Sequence, residues 1–358
     1  MIPISVCIIT KNEADKMEKF LQKIRPYNWE IVVVDTGSTD GTREIAQKYA
    51  DVLLDFTWID DFAAARNFSI AHASNDYILV LDCDEFLVNI DMDGILQSIK
   101  EHPNEMGCIG RINHFNSNET DSLYVDYVER LFSRKLFHYE RPIHEQLVPF
   151  DGVSYSYYQI LLTTDHHGYD QSEEAARAKS KRNLDILLRE LEKTPDDQYT
   201  LFQIGQSYNV ISEYEKAYPY YKKAMSFPLY PDSEYHHIMI SAYGYDLLYT
   251  NRLEEAMELL KYSDDFGYIA DFHCLMGDIY LRNNYPLKAI LEFIKATTCD
   301  SCLVLGSNSF IPTYNIGYIN ELLGDREAAL AHYKRCGDFP MSTRKVAELT
   351  AQLESQKQ

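Results

Sequence analysis

The sequence predicts two architectures in series: a doubly wound, mostly parallel α/β sheet, then an all-α stack of helical repeats. Three observations carry this. Short apolar runs alternate with helix-period segments through the first half. One of those runs, Ile78-Leu79-Val80-Leu81, leads straight into Asp82-Cys83-Asp84-Glu85. In the second half strand patterns vanish, and glycines at 205, 244, 277 and 317 recur at intervals of 39, 33 and 40 residues.

A chain of 358 residues is long enough for two or three domains, each with its own core. Its 46% hydrophobic and 25% charged content is that of a soluble globular protein. The net charge of −21 argues against a nucleic-acid partner and against docking on an anionic membrane through a basic face. No apolar run approaches the roughly 18 residues a membrane span needs. The start, Met1-Ile2-Pro3-Ile4-Ser5-Val6, enters a strand without a basic n-region or cleavage site, so a cytoplasmic location is expected. The seven cysteines are odd in number and scattered, and reduced thiols are expected. Cys299-Asp300-Ser301-Cys302 has no second pair or histidine cluster to make a zinc site.

In chain order, Ser5 to Thr10 reads as a buried strand that stops at Lys11-Asn12-Glu13. A helix follows with Met17, Phe20, Leu21 and Ile24 on one face, closed by Pro26. Ile31 to Val34 is a second strand, ending in Asp35. The turn Thr36 to Gly41 leads into a helix from Thr42 to about Tyr49, with Asp40 placed to cap it. In a doubly wound sheet the loop after the second strand can set Asp35 beside a nucleotide ribose or base. Phe62 opens a further helix, capped by Asp60 or Asp61. The run into Asp82 and Asp84 then brings two carboxylates to a buried strand end, where they repel unless a cation lies between them. Oxygen ligands of this kind suit Mg²⁺ or Mn²⁺ bridged to substrate phosphates. A solvated acidic turn is the alternative for an isolated Asp-x-Asp. A helix over Met92 to Glu101 and strands over Gly107–Ile112, Tyr124–Phe132 and the segment from Tyr158 to His166-His167 complete the first half.

Three segments together resemble the family 2 glycosyltransferases: Ser5 to Glu13, Val33 to Thr42, and Leu81 to Glu85. The resemblance covers roughly residues 3 to 170. It implies a GT-A fold, a nucleotide-diphosphate sugar as donor, and inversion at the anomeric centre. It also implies donor binding by Thr10, Asn12, Glu13, Asp35, Ser38, Asp82, Cys83 and Asp84, with Asp84 on the metal. Arg66 becomes a candidate phosphate clamp, since a guanidinium fork suits phosphate oxygens; a surface arginine is the alternative. Arg130-Leu131-Phe132 and Arg141 to Leu147 resemble the subgroup that glycosylates bacteriocin thiols. By motif order Glu145 is the expected catalytic base, with His144 assisting it or holding substrate; a charged pair on a loop is the alternative. The family's late histidine metal ligand falls on His166, with His167 as the other candidate.

Beyond Gly168 a helix is expected from Ser172 to Lys193. Each recurring glycine is followed twelve residues later by Ala217, Ala256, Ala289 or Ala329, and four further on by Tyr221, Leu260, Phe293 or Tyr333. This matches the tetratricopeptide pattern, in which paired helices stack into a superhelix. The expected division is a GT-A domain over residues 1–170, a linking helix over 171–196 and repeats over 197–358. The expected function is metal-dependent transfer from a UDP-sugar to a peptide or protein side chain, with Mn²⁺ or Mg²⁺, and with a homodimer admissible through the repeats. A cell-surface glycan or lipid-linked sugar as acceptor, and a non-catalytic repeat scaffold, stay open as alternatives.

Overall fold

The structure, a computed structural model, describes residues 3–117, 120–166 and 173–355. The chain divides into two compact units, Met1–Lys179 and Ser180–Gln358.

The first unit is built on strands β1 (Ile4–Thr10), β2 (Glu30–Asp35), β3 (Val52–Asp55), β4 (Tyr77–Val80), β5 (Glu85–Ile90), β6 (Met106–Ser117), β7 (Thr120–Ser133), β8 (Phe137–Glu140), β9 (Gln146–Pro149) and β10 (Tyr157–His166). Eight of them form one sheet in the order β3-β2-β1-β4-β7-β6-β10-β5, and β8 and β9 pair as a hairpin. The pairs β3–β2, β2–β1, β1–β4 and β6–β10 are parallel. β7 is antiparallel to both its neighbours, as is β5 to β10.

The helices of this unit are α1 (Ala14–Ile24), α2 (Thr42–Ala46), α3 (Phe62–Ala71), α4 (Met92–Glu101) and the start of α5 (Glu173–Lys193). Strand alternation explains why the central strands read as unbroken apolar runs. Ile4, Val6 and Ile8 join Ile31, Val33, Leu79 and Leu81 under Met17, Phe20 and Leu21 of α1 and Ile95 and Ile99 of α4. Cys7, Val32, Ile78 and Val80 face the other way, against Ala63 and Ile70 of α3 and Phe137 and Tyr139 of the hairpin. A strand covered on both faces needs apolar side chains at every position. Asp61 caps α3 by accepting from the Ala64 amide at 2.8 Å, which decides between the two aspartates. Three features were not predicted: β3, β5 and the β8–β9 hairpin. β3 and the two hairpin strands have only four residues each, too short for a periodicity to register.

The second unit is helical: α6 (Gln198–Val210), α7 (Tyr214–Ala224), α8 (Glu234–Tyr249), α9 (Leu253–Met257), α10 (Ser263–Phe266), α11 (Ala270–Arg282), α12 (Pro286–Ala296), α13 (Phe310–Leu322), α14 (Arg326–Arg335) and α15 (Pro340–Ser355). The repeat glycines have a steric cause. A Cβ on Gly205 would stand 2.6 Å from the Tyr221 ring, and one on Gly277 would stand 2.6 Å from the Phe293 ring. The paired helices therefore touch through a missing side chain.

A second period underlies the first. Seven residues after each glycine the backbone turns left-handed, at Ser212 (φ 62°), Asn251 (57°), Asn284 (62°) and Gly324 (89°). At each turn the next amide reaches back to Tyr208, Leu247, Tyr280 or Asn320, at 2.8 to 2.9 Å, which closes the helix in a Schellman motif. The expected core residue Leu260 is a correction. Leu260 is 40% exposed while Leu259 is 2% exposed, because Glu258–Tyr262 winds as a 3₁₀ helix and shifts the buried position by one.

Candidate active site

The parallel strands β2, β1 and β4 end on one edge, the edge at which open α/β sheets bind ligands. Thr10 and Asp35 are register partners at the ends of β1 and β2. Asp35 is buried, and its Oδ1 accepts from the amides of Gly37 at 2.8 Å and Ser38 at 2.7 Å. Its Oδ2 is also buried and has no hydrogen-bond partner among the described residues, an acceptor that calls for an external donor. Asn12, at φ 56°, ties the two loops together: its amide donates to Ser38 Oγ at 2.9 Å, and its Oδ1 accepts from the Thr39 amide at 2.8 Å. The expected cap is a correction: Gly41, at φ 94°, holds the cap position of α2, and Asp40 stands one residue before it and ties the loops. Its Oδ1 accepts from the amide and hydroxyl of Thr42, and its Oδ2 from the Ala14 amide at the start of α1. Thr10 and Cys83 are both buried, and the Cys83 thiol points to Thr10 Oγ1 at 3.5 Å, so the two side chains join β1 to the acidic turn.

At the end of β4 the acidic turn is held by arginines. Arg66, on α3, donates through Nε to Glu145 Oε1 at 2.6 Å and through Nη2 to Asp82 Oδ1 at 3.0 Å. Arg130, on β7, bridges Asp82 Oδ2 at 2.9 Å and Glu85 Oε1 at 2.8 Å with one nitrogen. Glu85 is fully enclosed, at 0% exposure, and its Oε2 accepts from the Asp82 amide at 3.0 Å. Burial pushes the Asp82 carboxyl up, but the charges of Arg66 and Arg130 outweigh it and hold Asp82 well below the usual carboxylate range. Three buried polar atoms here have no hydrogen-bond partner among the described residues: Arg66 Nη1, Arg130 Nε and the Tyr139 hydroxyl. Glu145 sits on a loop with left-handed backbone at Arg141 (φ 73°) and His144 (φ 51°), anchored where the Phe62 amide donates to Pro142 O at 2.8 Å.

Asp84 meets a different partner. Its Oδ2 stands 3.6 Å from His166 Nε2, and His166 Nδ1 lies 2.8 Å from Asn113 Oδ1. Burial raises the Asp84 carboxyl, yet the hydrogen-bonding and charge of His166 and the charge of Lys16 bring it below its ordinary value. Burial pushes the Glu13 carboxyl up against the pull of Lys16, and the negative charge of Asp84 adds to the rise. At 3.6 Å the two side chains also stand at the separation of two ligands of one small divalent ion, roughly 3 to 4 Å. The pair fits such an ion. Among the described residues no group of three or more His, Cys, Asp or Glu side chains forms a closed metal cage, so any remaining coordination would come from substrate and water. His167 lies outside the described residues.

The structure thus brings Asp82, Arg66 and Glu145 into one ion-pair network, Asp84 and His166 into another contact, and Asp35, Asn12 and Ser38 into a third bonded set. Arg130, Glu85, Asn113, Asp126 and Arg111 were not predicted as site residues. Glu85 and Arg130 lie within motifs that carry the resemblance, but for all five a charged or amide side chain on a strand names no partner.

Residues 5–158 match glycosyl transferase family 2, and residues 314–336 match a tetratricopeptide repeat. The first unit therefore carries a family 2 glycosyltransferase domain, and the helical second unit includes a tetratricopeptide repeat. More particularly, the chain is similar to the SPbeta prophage-derived glycosyltransferase SunS of Bacillus subtilis, 27% identical over 237 residues, 63% of this chain and 54% of that one. A TPR repeat-containing protein of Synechococcus elongatus is 31% identical over 215 residues, 57% of this chain and 52% of its own. The chain spans about half the length of these curated relatives. The crystal structure of MamA overlays 50% of this chain at 18% identity with a TM-score of 0.39. No helix among the described residues is long and apolar enough to cross a membrane.

Proposed function

We propose that the protein is a metal-dependent inverting glycosyltransferase that moves a sugar from a UDP-sugar to a side chain of a peptide or protein. The observation that carries this is the approach of Asp84 to His166 beside the Arg66–Asp82–Glu145 network, at the edge where the parallel strands end. Asp84 and His166 would hold the divalent ion, and the imidazole favours Mn²⁺ over Mg²⁺. Bound there, such an ion neutralises charge on a departing diphosphate. Asp35 offers its unpartnered Oδ2 to an N–H or hydroxyl of the nucleotide. Arg66 keeps one N–H edge, Nη1, without a partner, and this edge suits a phosphate oxygen. Glu145 takes the proton from the acceptor nucleophile, and Arg66 orients it for that task. The repeats present a surface for an acceptor chain or a second subunit.

The test is UDP release from a panel of UDP-sugars with Mn²⁺ or Mg²⁺ and no acceptor. Slow, metal-dependent release from one donor supports the reading and identifies the sugar. Neither release nor binding of UDP with any donor would leave the repeats as the working part of the molecule.

A further inference from the structure

His166 can turn either imidazole nitrogen into an acceptor, and only a bare Nε2 can act as a ligand beside Asp84. We propose that Asp126 and Asn113 form a relay that fixes this choice, holding hydrogen on Nδ1 and directing the Nε2 lone pair at Asp84. The relay thereby sets the affinity of the cation site. This rests on the reading of Asp84 and His166 as ligands given above.

The argument runs outward from a carboxylate. Arg111 grips Asp126 with two bonds, Nε to Oδ1 at 3.1 Å and Nη2 to Oδ2 at 2.6 Å. A carboxylate so held only accepts, so the Asn113 atom that meets Asp126 Oδ1 at 2.9 Å is the amide nitrogen. The same nitrogen lies 3.2 Å from the backbone oxygen of Arg111. Flipping the amide would set its oxygen against two other oxygens. Asn113 is completely buried, so water does not relieve that clash. The amide oxygen must therefore face His166 Nδ1, at 2.8 Å, and an acceptor in that place requires an N–H on the ring.

Backbone pairing supplies the geometry. Arg111 pairs with Asp126 across β6 and β7, and Asn113 pairs with His166 across β6 and β10. Asn113 and Asp126 are positioning residues, and removal of such partners of a ligating histidine typically weakens metal binding about 10- to 100-fold.

The experiment reads the ring directly. In ¹⁵N-histidine-labelled, metal-free protein, at a pH where His166 is neutral, two-bond ¹H–¹⁵N correlations distinguish the tautomers. His166→Gln assigns the signal. The parent is expected to carry its proton on Nδ1, and Asn113→Leu is expected to move it towards Nε2. If Asn113→Leu does not fold, Asp126→Asn, which frees the amide to flip, is expected to give a mixture. Mn²⁺ binding, followed by electron paramagnetic resonance with and without UDP, should weaken about 10- to 100-fold in Asn113→Leu and by only the lost fraction of the Nδ1–H form in Asp126→Asn. The exchange Asn113→Asp with Asp126→Asn should restore the Nδ1–H form.

A parent with its proton on Nε2, or a folded Asn113→Leu that keeps the Nδ1–H form, overturns the relay. A shifted tautomer with unchanged Mn²⁺ affinity leaves the relay's geometry standing but overturns its effect on the site. No Mn²⁺ binding by the parent, with or without UDP, instead overturns the ligand reading on which the proposal rests.

Discussion

The two units enclose opposite kinds of side chain. At the centre of the sheet unit's site, Glu85, Arg66 and Arg130 are buried charges that compensate one another across long stretches of chain, with Arg66 and Glu145 79 residues apart. In the repeat unit the corresponding depth is filled by Tyr221, Phe293 and Tyr333, each against the glycine of its own repeat. Its buried titratable groups, such as Asp246 or the His273–Glu292 pair, join no comparable network among the described residues. Convergence from distant strands makes a site that can hold a ligand. Repetition between neighbours makes a scaffold whose stability is close to a sum of local terms.

The contrast is sharpest in activity. Asp84→Asn should reduce metal-dependent UDP release by about 100-fold or more while leaving the melting curve nearly unchanged, because it removes a ligand charge and little packing. A variant with parental turnover would remove Asp84 from the metal site.

Next comes a pair of variants, one in each unit. Arg130→Met leaves the enclosed Glu85 with only the longer Arg111 contact, at 3.5 Å, and should destabilise the sheet unit by about 3–5 kcal/mol. Phe293→Ala leaves a cavity against Gly277 and should cost about 3–5 kcal/mol in the repeats. Hydrogen exchange should locate the first loss in residues before 180 and the second after it. Loss spread evenly over both units in either variant would mean that the division into two stability units is wrong.

Asp246 gives a pH-dependent effect confined to the repeats. Both its carboxylate oxygens are buried without a hydrogen-bond partner among the described residues, and burial raises the carboxyl to about 7, against the pull of Arg252. In the unfolded chain it titrates near its ordinary value of about 4. Between those two values the folded state binds the extra proton, so the contribution to stability is full below about 4 and is lost as pH rises through 7. Asp246→Asn should therefore have little effect at pH 4 and should raise the melting temperature of the repeats at pH 8. Equal melting shifts at both pH values would show that the group stays ionised.

The smallest effect concerns the left-handed turn. Ser212 occupies the position that Asn251, Asn284 and Gly324 fill elsewhere. Ser212→Gly should stabilise the repeats by roughly 1 kcal/mol or less in chemical denaturation, since glycine adopts that conformation without strain. Destabilisation would mean that the Ser212 side chain makes a contact worth more than the relieved strain.

Features that depend on period and local order were legible in the sequence. Apolar runs named the central strands, the Asp82-Cys83-Asp84 step marked the strand end that bears the site, and glycine spacing marked the repeats. Those features read out because burial on both faces of a sheet, or close approach of two helices, constrains residue type at each position. The register at Leu259 and Leu260 was not legible, since a short 3₁₀ stretch changes the angle per residue without changing composition. Nor were the partners of the charged groups. That Arg66 would meet both Asp82 and Glu145, or that Asn113 would stand between Asp126 and His166, follows from strand order and register. Those are properties of the assembled sheet, because hydrogen-bonded neighbours are chosen by all eight strands together and a one-residue slip would turn Asn113 to the opposite face.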